Sequence, residues 1–185
     1  MKKVFLMLAA VMVSMSAMAQ VSFGVKAGFD MTNFWGSDTK HGMAPNYQFG
    51  GLMEYKFNDK FALGPEVVFA AQGGKFNHTT TNVNYINVPV LVKYYVNPDI
   101  SIDFGPQLGI NVYSKVTTNS GGVKQTIDYK SNTKAVDFGI GIGGTYKLAD
   151  HAFLQARYTL GVPDVPDNGA DCKNGNIQIA FAWMF

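Results

Sequence analysis

Eight ionisable side chains stand inside segments that otherwise alternate between large apolar and small or polar residues. They are Glu54, Lys56, Glu66, Lys93, Asp103, Asp137, Lys147 and Arg157. Each shares its parity with the small or polar residues of its segment. Alternate residues of a β-strand point to opposite faces, so these charges share the polar face. On such a face they can form structural salt bridges, or they can relay a proton or an ion.

The three histidines are the other candidates for chemistry. Ser37 and Asp38 lie close to His41 in the sequence, and three threonines follow His78, whereas His151 stands alone between two apolar runs. None of these spacings indicates a catalytic triad, which is recognised by geometry. The histidines are also too scattered to predict a metal site. We therefore predict no catalytic residue, no metal and no cofactor.

The charged residues are carried by eight segments with a period of two, which predicts strands. The segments are 21–34, 47–57, 61–72, 84–96, 100–113, 135–148, 152–160 and 176–185. The last one reads NIQIAFAWMF, with large apolar residues at every second position. This pattern predicts an all-β fold, an eight-stranded antiparallel up-and-down transmembrane β-barrel.

Short and long connections alternate strictly between these strands. The short ones are 58–60, 97–99 and 149–151, and the long ones are 35–46, 73–83, 114–134 and 162–175. Bacterial outer-membrane barrels have short periplasmic turns and longer extracellular loops. With an even number of strands, we expect an outer-membrane protein with both termini in the periplasm.

A soluble barrel of the lipocalin type is the competing fold, with its apolar faces turned inward around a ligand. Charged residues make up 15% of the chain, against about 25% in ordinary soluble domains. The apolar faces also carry aromatic residues near the predicted strand ends, as in the girdles of membrane barrels. These aromatic residues are Tyr47, Phe57, Phe61, Tyr94, Tyr146, Tyr158, Trp183 and Phe185.

The polar faces then line the lumen, which side chains largely fill in a barrel of eight strands. If the 97–99 turn centres on Pro98, Lys93 lies directly opposite Asp103, and we expect these two to form a salt bridge. Gly105, Gly109, Gly139, Gly141 and Gly143 also face inward. They leave some room, so a narrow channel or a conduit for hydrophobic ligands is an alternative.

Residues 1–19 predict a secretory signal peptide, with two lysines, a short apolar run and the small-residue pattern Ala17-Met18-Ala19. Residues 20–185 then form the barrel domain. Lys2 and Lys3 account for the whole formal charge of +2, so the mature chain is neutral. It lacks the basic stripe of nucleic-acid-binding proteins. Cys172 is the single cysteine and cannot form an intramolecular disulfide.

Three sequence stretches resemble the PorT-like family of outer-membrane β-barrels, often labelled porin family. They are FGVKAGF at 23–29, YINVPVLVKYY at 85–95 and GPQLG at 105–109. The resemblance implies an eight-stranded barrel in the outer membrane, with no cofactor and no catalytic residues to transfer. The namesake of the family serves protein secretion.

We therefore predict a non-enzymatic protein with a structural or surface-interaction role. The alternatives are the narrow channel or conduit and an accessory component of a secretion machine. The expected partners are outer-membrane lipids, the barrel-assembly machinery during insertion, and an extracellular ligand or secretion partner bound through the loops.

Overall fold

The computed structural model describes residues 20–35, 44–76, 79–120, 123–128, 134–164 and 173–185. The predicted signal peptide, His41, His78 and Cys172 lie outside this part of the chain. The described residues form nine β-strands. They are β1 (Val21–Trp35), β2 (Ala44–Lys56), β3 (Phe61–Phe76), β4 (Thr79–Asn97), β5 (Ile100–Ser120), β6 (Val123–Asp128), β7 (Val136–Lys147), β8 (Ala152–Asp164) and β9 (Lys173–Met184).

Eight of these strands close into a barrel, and every pair of neighbours is antiparallel. The order is β4, β3, β2, β1, β9, β8, β7 and β5, and pairing between β4 and β5 closes the ring. The strand β6 extends the sheet beside the outer part of β5. The predicted eight-stranded antiparallel barrel is thus confirmed.

The ladder between β4 and β5 has the predicted register. Lys93 lies opposite Asp103, and Val92 lies opposite Phe104. A slip of one residue would turn every side chain of a strand to the other face. The predicted parity of these strands is therefore correct.

The distribution of polarity is the reverse of that in a soluble protein. In β9, Ile177, Ile179, Phe181 and Trp183 are exposed on the outside, whereas Gln178 is buried in the lumen. The other strands of the barrel repeat this pattern, with buried polar groups inside and large apolar side chains outside. Such an outer surface suits hydrocarbon.

Two stretches predicted to be loops contain long paired strands. The ladder between β3 and β4 continues to the pair Phe76 and Thr79. The 114–134 segment contains the end of β5 and the strand β6, paired from Lys115–Asp128 to Ser120–Val123. These segments are rich in Thr and Val, which favour strands. They lack apolar alternation, because a strand outside the membrane has no lipid-facing side.

We call the paired residues 73–76, 79–83, 114–120 and 123–128 the hairpin wall. The opposite end of the barrel, which carries the short connections 57–60, 98–99 and 148–151, is called the turn end. The strand β5 has 21 residues, whereas a strand of about 9–11 residues crosses a bilayer. The hairpin wall therefore rises well beyond a membrane-spanning belt.

Candidate functional site: a buried ion network in the lumen

Glu66 of β3 is the centre of an ion network that crosses the lumen. Its Oε2 atom lies 3.0 Å from Lys26 Nζ of β1 and accepts a second hydrogen bond of 3.0 Å from Arg157 Nη1 of β8. Its Oε1 atom accepts a 2.7 Å bond from Arg157 Nη2. The three side chains are at most 4% exposed. This network joins strands that are not neighbours in the sheet, so its side chains reach across the lumen.

Small residues beside the long side chains make room for this network. The cross-strand partners of Lys26 are Gly50 and Ala182. A Cβ atom on Gly141 would lie 3.3 Å from Cδ of Arg157. The space that Gly141 leaves is therefore occupied by the arginine. The expectation that inward glycines leave open room is wrong at this position.

Asp30 is a further buried acidic residue in the lumen beside this network. Lys26 and Arg157 carry two positive charges against the single negative charge of Glu66, so these three groups have an excess of one positive charge. Asp30 on β1 is completely buried in the same lumen. Neither of its carboxyl oxygens has a hydrogen-bond partner among the described residues. An ionised Asp30 would make these four groups neutral as a set.

A second cluster lies nearer the turn end and is centred on Glu54. Its carboxylate accepts a 3.0 Å hydrogen bond from Lys93 Nζ and a 2.6 Å bond from the Tyr95 hydroxyl. Lys93 reaches from β4 across β3 to β2. It can do so because its neighbours on β3, Ala62 and Gly64, are small.

The predicted salt bridge between Lys93 and Asp103 is therefore wrong, although the two residues face each other. The Asp103 oxygens instead accept 2.6 Å hydrogen bonds from the hydroxyls of Ser101 and Thr145. Hydroxyl partners on its own strand and on β7 satisfy Asp103, and the longer Lys93 side chain crosses the lumen to another carboxylate.

The remaining predicted lumen charges lie toward the two openings. Asp137 accepts a 2.6 Å hydrogen bond from the Asn174 amide and is partly buried. Lys147 forms a 3.1 Å ion pair with Asp150 in a turn. The Lys56 side chain is 54% exposed and lies 4.0 Å from Glu54. The two lysines thus lie at the mouth of the lumen, and not in its closed interior.

Lys26 and Asp30 were missing from the predicted network, although the signal was present. Both alternate with the outward residues Val25, Ala27 and Phe29. Parity alone places them inside. What the sequence does not show is that Lys26 meets Glu66, because these residues lie on strands separated by β2.

The eight predicted interface aromatics are all exposed on the outer surface, by 41% to 68%. Tyr158 departs from the predicted position near a strand end. It is the seventh of the thirteen residues of β8, which continues to Asp164 beyond the predicted end. Its ring lies in the middle of the apolar belt.

A cavity of about 220 Å³, lined by both polar and apolar side chains, opens at the turn end. Its lining includes Glu54, Lys93, Tyr95, Lys147 and His151. The His151 ring stacks on Trp183, and its Nδ1 atom lies 2.8 Å from the Met184 carbonyl oxygen. This histidine thus fixes the end of β9 to the turn between β7 and β8. No cluster of His, Cys, Asp and Glu suited to a metal ion occurs in the described ranges.

Residues 5–185 match the family described as outer membrane protein beta-barrel domain. The chain belongs to this family. It is thus an outer-membrane β-barrel protein, as the sequence predicts. No curated protein matches the chain. Within the part that the structure describes, no helix is long and apolar enough to cross a membrane.

Two solved structures of small outer-membrane barrels are similar to this one. Ail, the attachment invasion locus protein of Yersinia pestis, has a TM-score of 0.60 and 14% identity, over 90% of this chain and 99% of Ail. Neisserial surface protein A has a TM-score of 0.60 and 15% identity, over 89% of this chain and 99% of that protein. At this level of identity the likeness shows the fold.

Proposed function

We propose that this outer-membrane barrel is a non-enzymatic protein that displays a binding surface outside the cell. The hairpin wall is the observation that carries the proposal. About 10 residues of β5 suffice to cross the membrane, and the remaining half of the strand adds roughly 30 Å of paired structure beyond it. A rigid scaffold with a raised polar sheet is typical of proteins that bind through their extracellular side.

The charge of the hairpin wall and its connections favours an anionic partner. The segments 73–83 and 114–134 contain Lys75, Lys115, Lys124, Lys130 and Lys134 against the single acidic residue Asp128. The last long connection is acidic, with Asp164, Asp167 and Asp171. Positive charge is thus concentrated on one side of the barrel, where it would attract sulfated or phosphorylated glycans.

Binding of sucrose octasulfate to the protein in lipid nanodiscs tests this role. Ail was crystallised with this heparin analogue, which makes it a suitable probe. We expect binding that weakens with salt and weakens several-fold in the double variant Lys115→Gln, Lys124→Gln. Lys60→Gln removes the same kind of charge at the turn end and should leave binding unchanged. Equal binding by all three proteins, or none by the parent, contradicts an anionic partner.

The proposed orientation places the turn end and both termini in the periplasm. The alternation of turns with the hairpin wall supports it, because barrels of this type keep short turns on the periplasmic side. Labelling with an impermeant thiol reagent on intact cells gives the measurement. Thr118→Cys should react, and Asp59→Cys should react after the outer membrane is opened. Both variants are compared in a Cys172→Ser background, and the reverse result inverts the orientation.

A narrow conduit is the second candidate, and one observation favours it. Gln155 and Thr159 line the β8 side of the lumen beside Arg157, and their buried polar atoms have no hydrogen-bond partner among the described residues. Such atoms commonly bind internal water. Current steps in planar bilayers that vanish on substitution of Glu66 or Arg157 would support the conduit over the closed lumen.

The PorT-like resemblance supports a third role, as an accessory component of a secretion machine. Co-purification with periplasmic or secretion proteins under native conditions would favour this role. Accumulation of a hydrolysed or acylated lipid product in the presence of the protein would defeat the non-enzymatic proposal.

A further inference from the structure

An apolar groove of about 440 Å³ runs along the outer surface of β1, β2 and β3. Its lining includes Phe23, Val25, Gly51, Met53, Val67 and Phe185. Phe23 and Phe185 place its lower end near the turn end of the barrel. The groove contains almost no polar surface, and it opens sideways from the barrel wall.

Gly51 creates the floor of this groove. It lies between Val25 on β1 and Val67 on β3, whose side chains are both more than half exposed. A Cβ atom on Gly51 would have its nearest neighbour at 3.8 Å, the Gly24 carbonyl oxygen. The outer surface at Gly51 is therefore open, and the two valines form its sides.

The backbone under the groove is also interrupted. The ladder of β2 and β3 pairs Leu52 with Glu66 and next Tyr55 with Leu63, and it skips the two positions between them. Pro65 falls within this gap, and it lacks the amide hydrogen that a ladder needs. The hydrogen bonding between β2 and β3 is thus interrupted beside Gly51, whereas the register is the same on both sides of the gap.

We propose that this groove seats one acyl chain of a phospholipid from the leaflet at the turn end. The groove is continuous with the apolar belt that faces the bilayer, so hydrocarbon surrounds it. A neighbouring apolar groove of about 470 Å³ lies around Ala27 on β1, β2 and β9. At Gly51, a chain can lie between Val25 and Val67 and contact protein on three sides. Close packing, and not exclusion of water, is what favours binding inside a membrane.

The proposal takes from the proposed function only the orientation, which makes this leaflet the periplasmic one. The competing occupant is a side chain of a second copy of the protein. A second molecule would have to insert a lipid-facing side chain at the same depth in the membrane as the groove. The protein would then be a dimer.

Native mass spectrometry of the protein released from nanodiscs tests the site. We expect one phospholipid to stay bound to the monomer and to be lost in Gly51→Leu, whose Cβ atom would have no neighbour nearer than 3.8 Å. Ala156→Leu adds comparable bulk to the outer face of β8, away from the groove, and should retain the lipid. Heat-modifiable migration on gels confirms that both variants fold.

A crystal grown with a phospholipid brominated in mid-chain locates the occupant. Anomalous bromine signal between Val25 and Val67 supports the proposal. Equal lipid retention in all three proteins, or a dimer that Gly51→Leu disrupts, overturns it. Sucrose octasulfate binding at the hairpin wall does not depend on Gly51, so failure here is distinguishable from failure of the proposed function.

Discussion

Replacing Glu66 with glutamine should strongly destabilise the barrel. The carboxylate receives three hydrogen bonds, of 3.0, 3.0 and 2.7 Å, from two cations that are almost completely buried. The glutamine amide keeps the shape of the side chain but cannot balance Lys26 and Arg157. Removal of one partner from a buried ion cluster costs about 3–5 kcal/mol, because the remaining charges stay desolvated. We expect the free energy of unfolding to fall by this amount.

Urea unfolding in lipid vesicles, followed by tryptophan fluorescence, measures the change. Asp150→Asn is the matched control, because it removes a carboxylate from the Lys147 pair, whose Asp150 side chain is 92% exposed. Water already screens this pair, so we expect no measurable change. The two variants differ in burial and not in chemistry.

A third variant separates the charge from the packing. Replacing Lys26, Glu66 and Arg157 with methionine, together with Asp30→Asn, removes every ionisable group of this network, and such replacements are often neutral or stabilising. It should recover most of the stability that Glu66→Gln loses. A loss below about 1 kcal/mol in Glu66→Gln, the level of an exposed pair, would show that water reaches the two cations. The reasoning for a closed lumen would then be refuted.

Three other predictions follow from the same geometry. Gly141→Val should lower the free energy of unfolding by about 1–3 kcal/mol, because its side chain competes with Arg157 for space; Gly51→Ala, on the open outer surface, should be neutral in the same assay. His151→Ala should lower the free energy of unfolding by about 1 kcal/mol, because it removes the contact with the Met184 carbonyl. In a double-mutant cycle, this loss should add to the loss caused by Glu66→Gln. In planar bilayers the parent protein should give no current steps, whereas Glu66→Ala combined with Arg157→Ala should conduct. Steps of equal size from both proteins would argue against the ion network as the barrier.

The fold could be predicted from the sequence because a membrane barrel repeats one local rule. The side chains of each strand point alternately to the lipid and to the lumen. A short turn fixes the register of the next strand, as it does for Lys93 and Asp103. Both signals lie within a few residues. The strands of the hairpin wall were missed because apolar residues alternate with polar ones only where one face of a strand contacts lipid.

The partners inside the lumen could not be predicted, because they depend on contacts across the ring. Lys93 passes its cross-strand neighbour and reaches Glu54, and Lys26 reaches Glu66 past β2. Which strands face one another depends on the tilt and curvature of the closed sheet. Alternation contains no information on either, so the sequence identified most of the buried charges but not their pairing.

The seam between β1 and β9 has a consequence for how quickly the barrel forms. Gly24 pairs with Met184, across 160 positions of chain. Contacts of such long sequence separation form slowly, because the entropy of closing the loop must be lost first. Until the seam closes, both strands present unpaired edges that can join other chains. The period between translocation and closure is therefore when the chain is most prone to aggregate, and a factor that shields these two edges would accelerate productive assembly without contacting the finished lumen.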